Sequence, residues 1–303
     1  MKRGPSSVLG EKRLSLVKKT FPHLEINEVQ INNNGWDHDI LIINNEIVFR
    51  FPKSEHLLTK VIDEMQILDR LALKRPIIKI PKYEPVYWNK KFIAVTYAFL
   101  KGQSLSDYID FPINEDPENA KLISDFLTKL HSIDISDMND TNLETIHTLH
   151  YWEKLYASVK KNVFPFLNTY QQNEISEVFI PFINNYTTIT DRKALIHGDL
   201  TASNIIFNKT RNQIYGIIDF TDAQFGDPAF DFAGLYWTFG PDFTQKVLSG
   251  YSSTECTASI FNRVRVFYGL QPVFHELLYA VKNGQKINWE SALNRFSQLK
   301  SLI

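Results

Sequence analysis

The sequence predicts an α+β protein of two lobes, an N-terminal antiparallel sheet with one main helix followed by a mainly helical C-terminal lobe. Two patterns carry this expectation. From Ile26 to Phe51 short β-branched runs alternate with Asn-rich turns, whereas from Ser104 onward helical periodicities dominate. With 303 residues and 44% apolar content the chain can build one large or two ordinary domains. No internal repeat or low-complexity linker divides it, so the two parts read as lobes rather than independent domains.

Taken in order, Val29–Ile31, Ile40–Ile43 and Ile47–Phe51 read as strands, and the loop over 32–39 between the first two holds a single glycine, Gly35. A helix follows from about Ser54 to Leu73, with Leu57, Val61, Met65, Leu68 and Leu71 near helical spacing. Glu64 falls inside that apolar stripe, where a carboxylate is costly to bury unless a cation meets it. On the preceding strand Arg50 points opposite to Phe49 and Phe51 and can face a cleft, while Lys53 lies beyond Pro52 and reads as a surface charge. Phe92–Tyr97 is a further strand, running into Ala98-Phe99-Leu100-Lys101-Gly102. Helical segments come next at Ala120–His131, Leu149–Val163, Asn173–Ile189 and several places after Phe232, punctuated by Pro112, Pro117, Pro165 and Pro181.

A net charge of −1, from 33 basic and 34 acidic residues, provides no field to draw nucleic acid or anionic lipid. Cys256 is the single cysteine, so neither an intrachain disulfide nor a thiolate zinc cage can form; it reads as small core filler in a reducing compartment. The stretch to Phe21 is basic without an apolar run of signal-peptide length, and nothing approaches the ~20 apolar residues of a membrane span. A cytoplasmic chain with no nucleic-acid or membrane partner is expected.

The chemistry concentrates in one block. It runs His197-Gly198-Asp199-Leu200-Thr201-Ala202-Ser203-Asn204, then Ile205–Phe207, a polar turn over 208–213, and Ile214–Asp219. An Asp, an Asn five residues on and a second Asp closing the next strand supply a base for an attacking hydroxyl and two oxygen ligands for hard cations. Antiparallel pairing of the two runs brings Asn204 and Asp219 to one edge. Singly, each reads as well as a turn or cap residue, and only the three together at this spacing point to chemistry. His147 and His150 lack matching carboxylates and read as surface or capping residues rather than a metal pair.

The block resembles the catalytic and metal-binding loops of the protein-kinase-like fold, in the version used by aminoglycoside phosphotransferases and their small-molecule kinase relatives. The resemblance implies that Asp199 accepts or orients the proton of a substrate hydroxyl, that His197 braces the loop, and that Asn204 and Asp219 hold Mg²⁺ bridging the phosphates of ATP or GTP. It further implies that Glu64 pairs with the phosphate-gripping cation, whose position falls on Arg50 where the family has lysine. Ala98 and Leu100 would bind the base through their backbone, Tyr97 would guard the back of the pocket and favour GTP at least as well as ATP, and Asp231 would brace the catalytic loop. On this reading 1–97 is a nucleotide-binding lobe, 98–103 a hinge and 104–303 the catalytic and substrate-binding lobe. Plainer readings stand beside these: a hairpin turn at 32–39, a buried strand ending in a glycine turn at 98–102, and a Tyr97 that packs without influencing base choice.

Eleven residues separate Asp219 from Asp231, little room for the activation segment of a regulated protein kinase, so a small-molecule acceptor is expected. Residues 232–303 hold four acidic residues against seven Lys and Arg and open with Leu235-Tyr236-Trp237-Thr238-Phe239, which favours a bulky apolar acceptor. Residues 107–144 hold ten acidic residues and two lysines, which either reach the acceptor or form a solvated face. The expected function is that of a Mg²⁺-dependent small-molecule kinase with an aminoglycoside acceptor. A macrolide or choline-like acceptor, and a non-catalytic nucleotide-binding module, are the alternatives.

Overall fold

The computed structural model describes residues 5–33, 37–108, 113, 116–189 and 193–303; Gly35 and Pro112 lie outside the described residues. An N-terminal helix, α1 (Pro5–Thr20), precedes β1 (Val29–Asn32), β2 (His38–Ile43) and β3 (Ile47–Pro52). After α2 (Glu55–Leu73), β4 (Glu84–Trp88) and β5 (Lys91–Ala98) complete an antiparallel sheet of order β1-β2-β3-β5-β4. The Asn-rich turns set its hairpins. Asn44 and Asn45 have φ of 56° and 55° in the three-residue loop between Ile43 and Ile47, and Asn89 and Lys90 have 49° and 64°, the left-handed pair that the two-residue loop between β4 and β5 requires.

Strand alternation gives the sheet two faces of different use. Leu41, Ile43, Phe49, Phe51, Val86 and Ala94 form an apolar cluster with Val17 of α1, and the edge of Phe21 packs on Phe49 at 5.3 Å. The opposite face carries Ile40, Ile42, Val48 and Arg50 toward a cleft. Along α2, Leu57, Val61, Leu68 and Leu71 are buried, as the spacing requires, and Ile67 with them. Val61, Ile67, Leu68 and Leu71 belong to the same cluster as Phe126, Trp152, Phe179 and Phe267 of the C-terminal half. One continuous core therefore crosses between the halves.

That half is built from α3 (Pro117–His131), α4 (Leu149–Asn162), α5 (Thr169–Asn184), the one-turn α6 (Tyr186–Ile189), α7 (Ala233–Gly250), α8 (Thr257–Arg263), α9 (Pro272–Lys282) and α10 (Trp289–Lys300). Pro117 sits in the first turn of α3, where no N–H is needed and Asp116 caps. Pro181 does not punctuate, contrary to expectation; it lies inside α5, and the break comes at Asn185, whose side chain donates to the Pro181 carbonyl at 2.8 Å. Cys256 is exposed rather than core filler, because it precedes α8 and the buried positions of that helix are Ile260 and Arg263. Among the described residues no helix is long and apolar enough to cross a membrane.

Between the helices run short strands: β6 (Gln103–Ser104), β7 (Ala194–Ile196), β8 (Ile205–Asn208), β9 (Gln213–Ile217) and β10 (Gln224–Gly226). β8 and β9 form the expected hairpin with Ile205 opposite Ile217, and the Ile218 N–H donates to the Asn204 carbonyl at 3.0 Å. β7 pairs with β10, so the segments 197–204 and 218–223 are held side by side.

Candidate active site

The segment after β7 turns on Gly198, whose φ is +80°; a Cβ there would lie 2.0 Å from the Asp222 carbonyl oxygen, so the two loops approach as closely as only glycine allows. Asp231, 1% exposed, accepts from the N–H of His197 at 2.7 Å, the N–H of Gly198 at 2.9 Å and Nε2 of His131 at 3.0 Å. Burial pushes its carboxyl up, but these donors and the nearby imidazoles outweigh burial and hold it below the usual carboxylate range. Burial holds His197 neutral. Its Nε2 donates to the Ile218 carbonyl at 3.1 Å, and its Nδ1 accepts from the Asp199 N–H at 3.3 Å. His197 thus ties the two loops together and contributes no exposed surface.

Asn204 spends its amide nitrogen on Asp199, donating to the backbone carbonyl and to Oδ2, both at 2.8 Å. Its carbonyl oxygen is left as the free end. Burial, then the charges of Asp222 and Asp219, raise the Asp199 carboxyl to about 7 against the opposing bond from Asn204. Asp219 adopts a left-handed backbone, φ 65°, and its Oδ1 accepts from Arg50 at 2.6 Å and from the Thr221 hydroxyl at 2.7 Å. Burial raises its carboxyl, but Arg50 and Thr221 pull it below its ordinary value.

The structure brings Arg50 and Glu64 together. One terminal nitrogen of Arg50 donates to Glu64 at 2.5 Å and to the Tyr83 hydroxyl at 2.7 Å; the other donates to Asp219 and to Thr221, each at 2.6 Å. Lys53 lies apart, its Nζ 3.8 Å from Asp39 and bonded to the Asn33 carbonyl at 3.0 Å. The register explains this: Arg50 faces Ile40 across the ladder on the cleft side, and β3 ends at Pro52. Burial pushes Arg50 toward deprotonation, but Tyr83, Glu64 and Asp219 together outweigh it and keep the guanidinium charged. All four terminal N–H groups are thus committed to protein acceptors, where the sequence expected them to grip phosphate.

Arg50 and Asp219 close one end of a cavity of about 610 Å³. Its apolar walls are Ile40, Ile42 and Val48 from the sheet, and Ile206 and Ile218 from the hairpin. Tyr97, Phe99 and Leu100 form its side, with the Tyr97 ring 5.2 Å from that of Tyr83. Ala98 is not in the lining; it ends β5 opposite Ile47 with its side chain exposed. Gln30, Asn32, Asn45, Gln103, Ser104 and Asp107 also line it, and a slot with apolar walls and polar groups around them has the polarity of a purine nucleotide site.

Asp199 opens on the other side into a second cavity of about 450 Å³, which also shows Asp222, Glu276, His147, Tyr151 and Gln271. Burial raises the carboxyls of Asp222 and Glu276. His147 and His275 are both lowered to about 4, by burial and, for His147, by the neighbouring His275. This wall therefore offers carboxylates and neutral rings.

Two expectations change here, and one open alternative is filled in. The aromatic run 235–239 is absent from the lining, because Leu235 and Tyr236 are buried in the core and Tyr236 packs against Phe261. It therefore gives no support to an apolar acceptor. Of the acidic stretch 107–144, Asp140 pairs with Arg70 at 2.7 Å and the half-buried Asp125 with Lys129 at 2.6 Å, while Asp107 lines the 610 Å³ cavity and none of the described acidic residues there lines the second cavity. His147 is a cavity-wall residue whose ring lies 4.0 Å from that of Phe230, tilted by 41°, while His150 is exposed as expected.

Asp222, Glu276, Tyr83 and Thr221 take part in the two sites although the sequence pattern assigned them no role. Asp222, three residues past Asp219, had a local signal; Glu276, on α9, had none. Among the described residues no three His, Cys, Asp or Glu side chains converge to cage a metal. The free oxygens of Asn204 and Asp219 nonetheless form a hard-donor pair that fits Mg²⁺, an ion that takes few protein ligands and completes its shell with water and phosphate.

A profile of the phosphotransferase enzyme family matches residues 28–267. Viomycin phosphotransferase from Streptomyces vinaceus is 25% identical over 138 residues, 45% of this chain and 46% of the relative, so the chain matches less than half of that relative's length. The fold is that of wild-type aminoglycoside 2'-phosphotransferase-IIIa, solved as a GDP complex, with a TM-score of 0.80 at 22% identity over 97% of this chain and 99% of the other. It is similar also to macrolide 2'-phosphotransferase type I, with a TM-score of 0.66 at 19% identity over 100% and 98% of the two chains.

Proposed function

We propose that this chain, which belongs to the phosphotransferase enzyme family, moves the terminal phosphoryl group of a purine nucleoside triphosphate to a hydroxyl of a cationic small molecule of the aminoglycoside type. The observation that carries the proposal is the place of Asp199, whose carboxylate lines a cavity together with Asp222 and Glu276 and lies within the field of Asp219, which lines the nucleotide-shaped cavity. In the reaction the acceptor oxygen bonds to the terminal phosphorus as the bond to the leaving diphosphate breaks, and Asp199 takes or orients the hydroxyl proton. Asn204 and Asp219 would hold Mg²⁺, which when bound offsets the charge of the phosphates. His197 and Asp231 keep Asp199 in place, and Arg50 with Glu64 keeps Asp219 in place. The lobes 1–97 and 104–303 would meet at a hinge over 98–103, beside the base.

Cavity charge favours a polycation over a macrolide. Three carboxylates, the half-buried Asp199 and the more exposed Asp222 and Glu276, have their ionisation resisted by partial desolvation and gain from ammonium groups brought close, and an apolar acceptor leaves them uncompensated. Aminoglycoside 2'-phosphotransferase-IIIa as a GDP complex supports the donor reading, and the solved GDP and kanamycin complex of APH(2")-IIia supports the acceptor reading. Tyr97, at the side of the donor cavity, would favour a shifted guanine pose. Turnover of GTP and ATP should be measured with kanamycin, a macrolide and choline. The proposal expects acceptor-dependent turnover with kanamycin and with GTP at least as well as ATP; turnover with the macrolide alone would contradict the acceptor class.

A further inference from the structure

We propose that His38 contacts the phosphate end of the bound nucleotide, its imidazole Nε2–H donating to a phosphate oxygen. The inference rests on the reading of the 610 Å³ cavity as the donor site. His38 opens β2, and strand alternation sets it in one row with Ile40 and Ile42, which line that cavity. It lies one step past the Ile40 and Arg50 pair, opposite Pro52, at the end of the row where Arg50, Asp219, Lys53 and Lys60 are the charges that act on it. The imidazole is 5% exposed, and its Nε2 has no hydrogen-bond partner.

A buried ring nitrogen without a partner is unusual in a folded chain and calls for one. Arg50 cannot serve, because it has spent its four terminal N–H groups on Glu64, Tyr83, Asp219 and Thr221; the other cations there are Lys60, 3.9 Å from Asp222, and Lys53, bonded to the Asn33 carbonyl. With Arg50 committed to protein acceptors, His38 supplies a directional donor on the cavity face of the sheet. Burial and the adjoining cations hold the ring neutral, down to about 3, so that it serves as a directional donor with no charge of its own.

Binding of GTP, GDP and guanosine, and of the adenine series, to the full chain and to His38→Phe and His38→Gln tests this. Phenylalanine keeps the ring and removes the nitrogen, and the glutamine amide places an N–H near the position of Nε2. The expected result is a loss of about tenfold or more in triphosphate affinity for His38→Phe, the worth of one charge-assisted hydrogen bond, with nucleoside affinity unchanged. His38→Gln should recover most of the loss, and the ligand-free melting temperature of His38→Phe should not fall, because no bond is removed from the free protein. Triphosphate affinity within twofold of wild type in His38→Phe, or equal loss for triphosphate and nucleoside, would overturn the assignment. Failure of the wild-type chain to bind any of these nucleotides would overturn the donor-site reading and this one with it.

Discussion

At the residue scale the proposed reaction turns on one carboxyl group. Asp199 must be ionised to accept a proton, and burial beside Asp222 and Asp219 raises it to about 7. Ionisation follows rising pH, so kcat/KM for the acceptor should climb through about pH 7 and level off above it; a profile flat from pH 5 to 8 would contradict the assignment. The same shift bears on stability. The folded state holds this proton after the unfolded chain has lost it, so stability falls as pH rises from the ordinary Asp value through about 7. At pH 8 the ligand-free Asp199→Asn variant should melt higher than wild type, by roughly 2–4 °C for each kcal/mol relieved. Equal melting temperatures would show that burial of Asp199 exacts no cost. Asp199, Asn204 and Asp219 were legible in the sequence because one local spacing carries them, and Arg50 with Glu64 because each stands out on its own element. Tyr83, Thr221, His38 and Glu276 were not, since their roles arise from neighbours distant in the chain.

At the scale of elements the site depends on two loops pressed together between β7 and β10. Those strands are three residues each and their pairing is long-range, so no periodicity announced them, whereas the β8 and β9 hairpin was plain from two apolar runs and a polar turn. α1 and β4 also went unannounced; among the described side chains of α1, Val17 is buried amid a charged sequence. Gly198 makes the close approach possible. In Gly198→Ala the new Cβ would meet the Asp222 carbonyl oxygen, and the positive φ would be strained as well. The variant should lose about 2 kcal/mol or more in denaturant unfolding and nearly all turnover. Wild-type stability would show that the 222 loop can move away freely.

At the scale of the whole molecule one core runs through both halves. α2 packs into the core shared with the C-terminal helices, and Arg50 of the sheet reaches Asp219 and Thr221 beyond the hairpin. The missing linker in the sequence anticipated a continuous body, but no pattern could show that one guanidinium spans it. Arg50→Met would strand Glu64, 1% exposed, without its cation. It should cost about 3–5 kcal/mol by denaturant unfolding, as breaking one side of a buried pair does. Loss below ~1 kcal/mol would mean that Glu64 is protonated or finds another partner.

The most direct test of the central claim is detection of the phosphorylated acceptor. Kanamycin incubated with the wild-type chain, Mg²⁺ and GTP or ATP should yield product carrying one phosphoryl group in mass spectra, with one diphosphate released for each. Asp199→Asn should bind nucleotide as wild type does and form product at least about a hundredfold more slowly. Diphosphate release without a phosphorylated acceptor, or an Asp199→Asn rate within tenfold of wild type, would contradict the account.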